Sequence, residues 1–382
     1  MHTTTDARDN AKEDAHATRL PGFAAQTPGS DAEGETPPHP DAHASSLGSD
    51  EGGRHHILVP LDGSRLAAAA LPYAVTLARA FEARITLLAV IEPFMGGVGV
   101  PRPEAAEFNE RQIAMNTAYL ESVAASIRTH DRSVTTVLRH GNAAEEILAY
   151  AEEEVCALIV ISSHGRTGLA RFRMGSVAQH VVRHSTVPTL VVQPREEAPL
   201  TDETTVTGVT VTLDGSVLAE QALPLGTAIA RKLAVPLTLL RISLTHITLA
   251  DAAWDGAYDY PDTQEMKHAE AQIIEAYMQR IAAPPRALGL EVHTHWQRSP
   301  ANEADEDLGA CLARQPEGLA VVTSHGRGGI LRWVLGSTAE SLLDGAPCPI
   351  LIVRAGQGGE AEAETTVRME PRAPDIGKPH AP

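Results

Sequence analysis

The chain has 382 residues and a formal net charge of −18, and 43% of its residues are hydrophobic. This length predicts two or three domains, and the negative charge disfavours general binding to nucleic acids, whose phosphate backbone is also negative. No stretch approaches the roughly 20 apolar residues of a membrane-spanning helix, so we do not expect a membrane protein.

The first 20 residues contain no apolar segment after a basic one, so the sequence predicts no secretory signal. Three cysteines, Cys156, Cys311 and Cys348, lie far apart without any CxxC pair. This spacing argues against a disulfide framework and against a structural zinc site. We therefore expect a cytoplasmic protein whose cysteines are free and mostly buried.

Both ends differ in composition from the middle of the chain. Residues 1–53 hold ten acidic and three basic residues and almost no large aliphatic ones, and the tail 355–382 holds five acidic and three basic residues. Such segments bury too little apolar surface to offset the entropy of ordering, so we predict disorder in both. Their role is either to solubilise the protein or to bind a partner.

The middle contains an internal repeat. HILVPLDGS at 56–64 recurs as TVTLDGS at 210–216, which places Asp62 and Asp214 at an offset of 152 residues. Apolar residues at helical spacing follow in both halves, with Pro72 and Pro224 expected to kink their helices. The runs ITLLAVIEP and LTLLRISL come next and are typical of strands that are buried on both faces of a parallel sheet.

A second pair of matching segments follows at a larger offset. LIVISSHGRTGLARFRMGS at 158–176 matches LAVVTSHGRGGILRWVLGS at 319–337, now offset by 161 residues. Nine residues are therefore added in the second half, and the loop after its second strand is the most economical place for them. TLVV and ILIV close the two repeats as short strands.

Each repeat thus predicts the order β-α-β-α-β-α-β-α-β. The fold expected is two tandem doubly wound domains, each with a five-stranded parallel sheet of Rossmann-like type, at 55–194 and 206–354, with a linker at 195–205. A ligand should bind beyond the carboxyl ends of the strands, where the LDGS and SHGR motifs fall. The strands are predicted at 56–61, 85–91, 133–139, 157–162 and 189–192, and at 209–213, 237–242, 290–297, 319–323 and 350–353.

The glycine-rich turn before each fourth helix suggests a phosphate site. Gly175, Ser176 and Val177 begin one helix and Gly336 and Ser337 begin the other. Amides at a helix N-terminus and the helix dipole favour an anion, and glycine lets a phosphate approach the backbone. Each serine either donates its hydroxyl to the ligand or caps the helix.

Other polar residues have two possible roles each. Asp62 and Asp214 either accept hydrogen bonds from a ribose or form the turn that Asp-Gly sequences favour. The arginines beside the first loop either neutralise phosphates or are solvated: Arg166, Arg171 and Arg173.

The histidines divide into two groups. His164 and His325, which both SHGR motifs retain, are expected to bond across their loops rather than to transfer protons. His180 and His184 are expected at the surface rather than on a metal, and His293 and His295 are expected to be exposed or paired rather than metal-bound. No Walker A motif, nucleophile elbow or Ser-His-Asp order occurs.

The motif pair LDGS and HG-x9-GS, present twice, resembles the universal stress protein (UspA-like) family. The resemblance covers both repeats and implies an adenine-nucleotide alpha hydrolase-like fold. Nucleotide-binding members carry Gly-x2-Gly-x9-Gly-(Ser/Thr) after the fourth strand. The last two glycines of that motif are present here, as Gly165 and Gly175 and as Gly326 and Gly336, whereas the first glycine is replaced by Ser162 and Thr323.

The resemblance further implies contacts with the base and ribose of a nucleotide. They would come from Asp62 and Asp214 after the first strands and from Val90 and Ile242 at the ends of the second strands. It implies ATP, with or without Mg2+, as the cofactor. It also implies pairing of the two halves through their last strands, as a pseudo-dimer within one chain.

Three functions follow from this sequence. The first is a non-catalytic ATP-binding module of the stress response, and the second is a stress protein that binds no ATP and acts through protein partners, which Ser162 and Thr323 favour. The third is a slow ATP hydrolase that would rely on His164 or Asp62.

We expect the better nucleotide site in the first half. That half has Pro60 and Val90, as nucleotide-binding relatives do, where the second half has Thr212 and Ile242. The second half also carries an aromatic loop near its strand ends, which would act as a lid or fill the pocket. The aromatic residues of this loop are Trp254, Tyr258 and Tyr260.

Overall fold

The computed structural model describes residues 55–92, 102–128, 133–164, 174–194, 203–244, 264–299, 304–324, 336–345 and 347–354. The arms at 1–53 and 355–382, predicted to be disordered, lie outside these residues, as does most of the predicted linker 195–205. All ten predicted strands fall within the described part of the chain.

The first half alternates strands with helices. Its elements in chain order are β1 (His56–Pro60), a 3-10 turn (Ala67–Ala70), α1 (Leu71–Phe81), β2 (Arg84–Ile91), α2 (Arg102–Ile127), β3 (Val134–His140), α3 (Ala143–Glu153), β4 (Leu158–Ser162), α4 (Ser176–His184) and β5 (Thr189–Val192).

The second half repeats this order. Its elements are β6 (Val209–Leu213), α5 (Val217–Glu220), α6 (Leu223–Leu233), β7 (Leu237–Leu244), α7 (Gln264–Ala287), β8 (Val292–Ser299), α8 (Ala304–Leu312), β9 (Leu319–Thr323), α9 (Ser337–Gly345) and β10 (Ile350–Val353). All ten strands agree with the predicted bounds to within two residues, which confirms the α/β repeat.

The ten strands form one sheet in the order β3-β2-β1-β4-β5-β10-β9-β6-β7-β8. Every pair within a half is parallel, as predicted for doubly wound domains. The halves meet where β5 pairs antiparallel with β10, with Leu190 opposite Leu351. The two predicted five-stranded sheets are therefore joined into one through their last strands.

Side-chain contacts reinforce this junction. Arg183 of α4 forms an ion pair with Glu340 of α9, and Nη1 of Arg354 donates to the carbonyl oxygen of Ser185 at 3.0 Å. Residues 203 and 204 also dock on α1, where the Thr76 hydroxyl donates to the Thr204 carbonyl at 3.0 Å. The halves are thus joined by backbone pairing and by polar contacts on both sides of it.

Both faces of the sheet are covered by helices. Ile57 of β1 packs in a cluster that includes residues of α1, α2, α6 and α7, and Leu58 packs in a second cluster with residues of α3, α4, α8 and α9. Neighbouring residues of a strand point to opposite faces. Burial on both faces explains why the central strands β1 and β4 consist mostly of apolar residues.

The kinks expected at Pro72 and Pro224 are not present. Each proline lies in the first turn of a new helix, α1 or α6, after a separate short helical segment. Proline has no amide hydrogen. In the first turn this costs the helix no hydrogen bond, because the amides of that turn have no acceptor within the helix. The two prolines therefore begin helices and do not bend them.

The nine added residues of the second half do not form a single insertion. Asp62 and Asp214 are offset by 152 residues, but the offset is already 158 at Val134 and Val292. These two valines are equivalent because their carbonyls accept from Arg128 and Arg286, which keep the same offset, at 3.2 Å in both halves. The offset reaches 161 at the starts of α3 and α8. Six residues were thus added between β7 and α7, as predicted, and three between β8 and α8.

None of the helices in the described ranges combines the length with the apolar character that crossing a bilayer would require.

Candidate functional site

Several residues singled out in the sequence lie at one edge of the sheet. β1 is parallel to both of its neighbours, β2 and β4, so the carboxyl ends of these strands meet at the same edge. Asp62 follows β1, Val90 lies near the end of β2 and Ser162 ends β4. The chain order of the strands reverses between β1 and β4, and doubly wound folds bind their ligands at this switch point.

The turn after β1 has the same geometry in both halves. Asp62 Oδ1 accepts the Ser64 amide at 2.9 Å, and Asp214 Oδ1 accepts the Ser216 amide at 2.8 Å. Gly63 and Gly215 have φ angles of 83° and 89°, which only glycine adopts easily. The turn-forming role of the two aspartates is therefore present, and each uses one carboxylate oxygen for it.

Pro60 and the two residues at the ends of the second strands form part of this edge. Pro60 ends β1 and is buried, whereas Thr212 is half-buried at the matching position of β6. Val90 and Ile242 are both partly buried and pack against the cluster that contains α4 and α9. Thr323 ends β9 as Ser162 ends β4. The second half thus repeats the edge of the first.

Gly175 holds the start of α4 against the strand end. It is the N-cap residue, with φ −62° and ψ 150°, and its amide donates to the Ser163 carbonyl at 2.7 Å. A Cβ at this position would lie 3.3 Å from that oxygen. Glycine is thus required by the close approach of the chain, and its own amide already has an acceptor in the Ser163 carbonyl.

The same contact recurs at the start of α9 with more room. The Gly336 amide donates to the Ser324 carbonyl at 2.8 Å, and a Cβ would lie 3.6 Å from that oxygen. Because Gly175 is the N-cap of α4, Ser176 and Val177 are its first helical residues and Ser176 is not the capping residue. The amides that α4 can offer to an anion therefore begin at Ser176.

His164 belongs to a hydrogen-bonded network that reaches the other half. Its Nδ1 lies 2.9 Å from the Ser163 hydroxyl, which donates to Gln193 Oε1 at 2.6 Å. The Ser163 oxygen therefore accepts from His164 Nδ1. Gln193 Nε2 in turn donates to the Leu343 carbonyl on α9 at 3.0 Å. The end of β4 is thus connected with the second half.

Tyr119 of α2 lies close enough to Asp62 to feel its charge, and the sequence did not single it out. Its hydroxyl is buried and has no hydrogen-bond partner among the described residues. Burial raises the pKa of this hydroxyl, and the Asp62 carboxylate raises it further. Tyr277 of α7 is the matching residue, since both tyrosines keep the 158-residue offset, and that repeated tyrosine was the available signal.

The second half contains a buried cation at its edge. Arg241 of β7 is 7% exposed, and its guanidinium carbon lies 5.2 Å from the centre of the Tyr277 ring. A Cβ on Gly215 would lie 2.7 Å from Nη1 of Arg241, so the guanidinium packs against the Asp214 turn. The first half has Ala89 at the position of Arg241. The prediction of a continuous apolar run in β7 was therefore wrong at this residue.

Several predicted residues lie outside the described part of the chain. They are Gly165, Arg166, Arg171, Arg173, His325 and Gly326, together with the aromatic loop residues Trp254, Tyr258 and Tyr260. The side chain of Ser337 is also outside it, although its backbone begins α9.

The other histidines form local contacts. His180 and His184 stack with their ring centres 4.0 Å apart, and Nε2 of His293 lies 3.1 Å from Glu291 Oε1. Within the described ranges, no group of three or more His, Cys, Asp or Glu side chains could hold a metal ion.

Comparison with known proteins identifies the repeat. A model of the universal stress protein family matches residues 53–193 and again residues 207–354. A universal stress protein of Methanocaldococcus jannaschii is 32% identical over 145 residues, which cover 37% of this chain and 84% of that protein. One from Mycolicibacterium smegmatis is 26% identical over 305 residues, covering 78% of this chain and 96% of that protein.

Solved structures support the tandem fold. The crystal structure of a universal stress protein from Archaeoglobus fulgidus has a TM-score of 0.54 at 20% identity and covers 79% of this chain and 97% of that chain. A crystal structure of a universal stress protein in complex with cAMP is 21% identical, with 37% of this chain and 97% of that chain covered and a TM-score of 0.28.

Proposed function

The chain belongs to the universal stress protein family, and we propose that it is a non-catalytic ATP-binding module of the stress response with its better site in the first half. The observation that carries this proposal is the arrangement of Asp62, Tyr119 and the start of α4 at the switch point of the sheet. A cytoplasmic location is part of the proposal, and three cysteines that form no disulfide with one another favour it.

The phosphates would bind at the start of α4. The first amides of a helix have no acceptor within it, and here the N-cap is Gly175, which has no side chain to accept them. The hydrogen bond from Gly175 to Ser163 holds this helix end beside β4. The amides from Ser176 and Val177 onwards, together with the helix dipole, would then stabilise a phosphate.

The ribose would bind near Asp62. One oxygen of this carboxylate accepts the Ser64 amide, and a carboxylate accepts several hydrogen bonds at once. The buried Tyr119 hydroxyl nearby lacks a partner among the described residues. A buried polar group without a partner costs free energy, and a ligand hydroxyl would offset that cost. Val90, on the adjacent strand, would contact the base.

The difference between the two halves follows from Arg241. Its guanidinium packs against the Asp214 turn and on the ring of Tyr277. A ligand hydroxyl would have to compete with this cation for the Asp214 carboxylate. Ala89 in the first half brings no such competitor to Asp62, and we therefore assign the tighter site to the first half.

ATP binding would affect the junction between the halves. Ser163, which positions both Gly175 and His164, donates to Gln193, and Gln193 donates to the carbonyl of Leu343 in α9. A ligand that shifts the end of β4 or the start of α4 would strain this network. A binding module that reports occupancy through its conformation needs such a connection.

Mg2+, as a companion of ATP, would be held mainly by phosphate oxygens and water. The described residues contain no cluster of three or more metal-ligating side chains, and Mg2+ commonly binds through substrate phosphates and few carboxylates.

Native mass spectrometry of the full chain with ATP tests the proposal. Wild type should retain nucleotide, and Asp62→Ala should bind it at least tenfold more weakly, since a hydrogen bond to a charged group contributes about 1.5–3 kcal/mol. Asp214→Ala is the matched control and should keep the tighter site. Retention of no nucleotide by wild type would favour the alternative of a stress protein that acts through partners alone. Conversion of the retained ATP to ADP would contradict a non-catalytic role.

Tyr119→Phe tests the ribose end separately. The substitution removes a buried hydroxyl without a described partner, so the folded chain should be as stable as wild type or slightly more stable. If a ligand satisfies this hydroxyl, ATP affinity should fall about fivefold to tenfold by calorimetry. Tyr277→Phe, the same change in the second half, should leave the tighter site unaffected. Unchanged affinity in Tyr119→Phe would remove Tyr119 from the site.

A further inference from the structure

A cleft of about 300 Å³ opens in the second half. It lies away from the carboxyl ends of the strands, where we propose that the nucleotide binds; this edge of the sheet is called the nucleotide edge below. Thr210, Thr238 and Leu240 line it from the sheet, and Cys311 and Leu312 line it from the end of α8. Thr210 and Thr238 are the second residues of β6 and β7, so the cleft lies toward the amino ends of these strands. Ligand sites in proteins begin at about this volume.

The first half fills the equivalent space with aromatic side chains. The 161-residue offset that relates α8 to α3 matches Cys311 with Tyr150. The 152-residue offset that relates β6 to β1 matches Gly208 with His56. Tyr150 is buried, with its ring edge-on to His56 at 6.3 Å and beneath the guanidinium of Arg139 at 5.0 Å. The second half therefore lacks a phenol ring and an imidazole at the place where its cleft opens.

The floor of the cleft keeps the residues that hold Tyr150 in the first half. Thr238 corresponds to Thr86, whose hydroxyl lies 2.8 Å from Nε2 of His56. Burial raises the pKa of the Tyr150 phenol, and the Thr86 hydroxyl is close enough to Tyr150 to lower that pKa in part. Leu240 corresponds to Leu88, which packs in the same cluster as Tyr150. A partner for a phenolic hydroxyl and an apolar surface for its ring are thus both retained after loss of the ring itself.

We propose that this cleft binds a small phenolic molecule, whose ring takes the place of the Tyr150 ring and whose hydroxyl pairs with Thr238. Leu240 and Leu312 supply the apolar contacts. Arg314 lines the cleft as an exposed side chain, and the lining residues that the structure describes include no Asp or Glu. A carboxylate on the ring would therefore find a cation there, which extends the ligand class to phenolic acids.

Calorimetry on the full chain with p-cresol and 4-hydroxybenzoate tests the proposal. Both should bind wild type, and Cys311→Tyr, which restores the residue of the first half, should weaken binding at least tenfold by filling the cleft. Cys311→Ser keeps the space and should bind within about twofold of wild type. No binding at millimolar concentration, or equal binding by Cys311→Tyr, would overturn the proposal.

Reaction of the wild-type cysteines with a thiol reagent gives a second readout that needs no variant. Cys311 is partly exposed, whereas Cys156 and Cys348 are buried, so Cys311 should react first in the folded chain. Saturating 4-hydroxybenzoate should slow its reaction severalfold, and an unchanged rate would contradict the proposed location. Thr238→Val should weaken p-cresol binding about fivefold to tenfold; equal binding would contradict the pairing with Thr238.

Saturating ATP separates this site from the nucleotide edge. Binding of 4-hydroxybenzoate should be the same with and without ATP, and Asp62→Ala should bind it as wild type does. Competition with ATP would instead place the phenolic molecule at the nucleotide edge and overturn this inference, whatever the outcome for ATP itself.

Discussion

The backbone amide of Gly175 donates a 2.7 Å hydrogen bond to the carbonyl oxygen of Ser163, and this contact fixes where α4 begins relative to the end of β4. A side chain at position 175 would press on the acceptor, because its Cβ would lie 3.3 Å from it. The described residues on the two sides of the loop after β4 thus meet at this contact. This closure, and not a left-handed backbone angle, is the reason for glycine.

The first prediction compares Gly175→Ala with Gly336→Ala. The Cβ at 175 must displace a backbone carbonyl, whereas the Cβ at 336 meets its nearest atom at an ordinary 3.6 Å. We expect Gly175→Ala to lower the free energy of unfolding by about 1–2 kcal/mol through overpacking and a weakened hydrogen bond. Gly336→Ala should be neutral or slightly stabilising, since alanine restricts the unfolded chain. Urea denaturation measures both.

Equal losses from the two alanine variants would contradict this account of the loop. ATP binding offers a further check on the same proteins. Gly175→Ala should weaken the tighter site because it moves the start of α4, and Gly336→Ala should leave that site unchanged.

The strands could be predicted because burial on both faces leaves a local signal. Every residue of β1 and β4 is buried, and all but His56 and Ser162 are apolar, so each strand appears in the sequence as a short apolar run. Tyr119 and Arg241 leave no such signal. Tyr119 lies near Asp62 only because α2 packs beside β2 and β3, and Arg241 is buried only because Tyr277 and the Asp214 turn surround it. Such contacts depend on residues far apart in the chain.

The second prediction concerns the two arginines that contact Tyr277. Arg241 is 7% exposed and Arg280 is 63% exposed by its side chain, and each guanidinium lies just over 5 Å from the ring centre. Arg241→Ala should lower the free energy of unfolding by about 2–4 kcal/mol. The substitution removes a buried cation and leaves the groups around it without their partner. Arg280→Ala removes an exposed pair with Glu220 and should cost less than about 1 kcal/mol.

Chemical denaturation of the two arginine variants checks this difference. A loss as small for Arg241→Ala as for Arg280→Ala would show that Arg241 is not integral to the second half. If Arg241 competes for Asp214, the Arg241→Ala protein should also hold a second ATP more tightly than wild type does.

The third prediction concerns the junction of the halves. Val191 lies opposite Ile350 where β5 meets β10, and both are buried in the same cluster. Val191→Asp would bury a carboxylate among apolar residues and should destabilise the chain by more than about 3 kcal/mol. The corresponding fall in melting temperature is about 6–12 °C.

Scanning calorimetry checks this effect, with Val217→Asp as the control. Val217 is exposed at the first residue of α5, where an acidic side chain suits the helix dipole, and its substitution should leave the melting temperature nearly unchanged. The wild-type chain should melt in one transition, because one apolar cluster includes residues of both halves. Two separate wild-type transitions would contradict this coupling.

The last prediction is a pH dependence that comes from His56. Its Nε2 lies 2.8 Å from the Thr86 hydroxyl and its Nδ1 lies 2.9 Å from Nη2 of Arg84. A guanidinium only donates, so at this shorter contact Nδ1 accepts and the ring is neutral; the Glu154 carbonyl, at 3.3 Å from Nδ1, is the longer contact and favours a proton there. Burial, followed by the charge of Arg84, lowers the pKa of His56 below its usual 6.5. Below pH 6.5 the unfolded chain therefore binds a proton that the folded chain does not, and the free energy of unfolding falls as the pH decreases. At most this group contributes about 1.4 kcal/mol per pH unit.

Denaturation at pH 7.5, 6.5 and 5.5 should show wild type losing more stability than His56→Gln, so that the difference between their free energies of unfolding narrows at low pH. His140→Gln, at an exposed position of β3, is the matched substitution and should follow wild type. Parallel curves for wild type and His56→Gln would mean that His56 takes up its proton equally in both states.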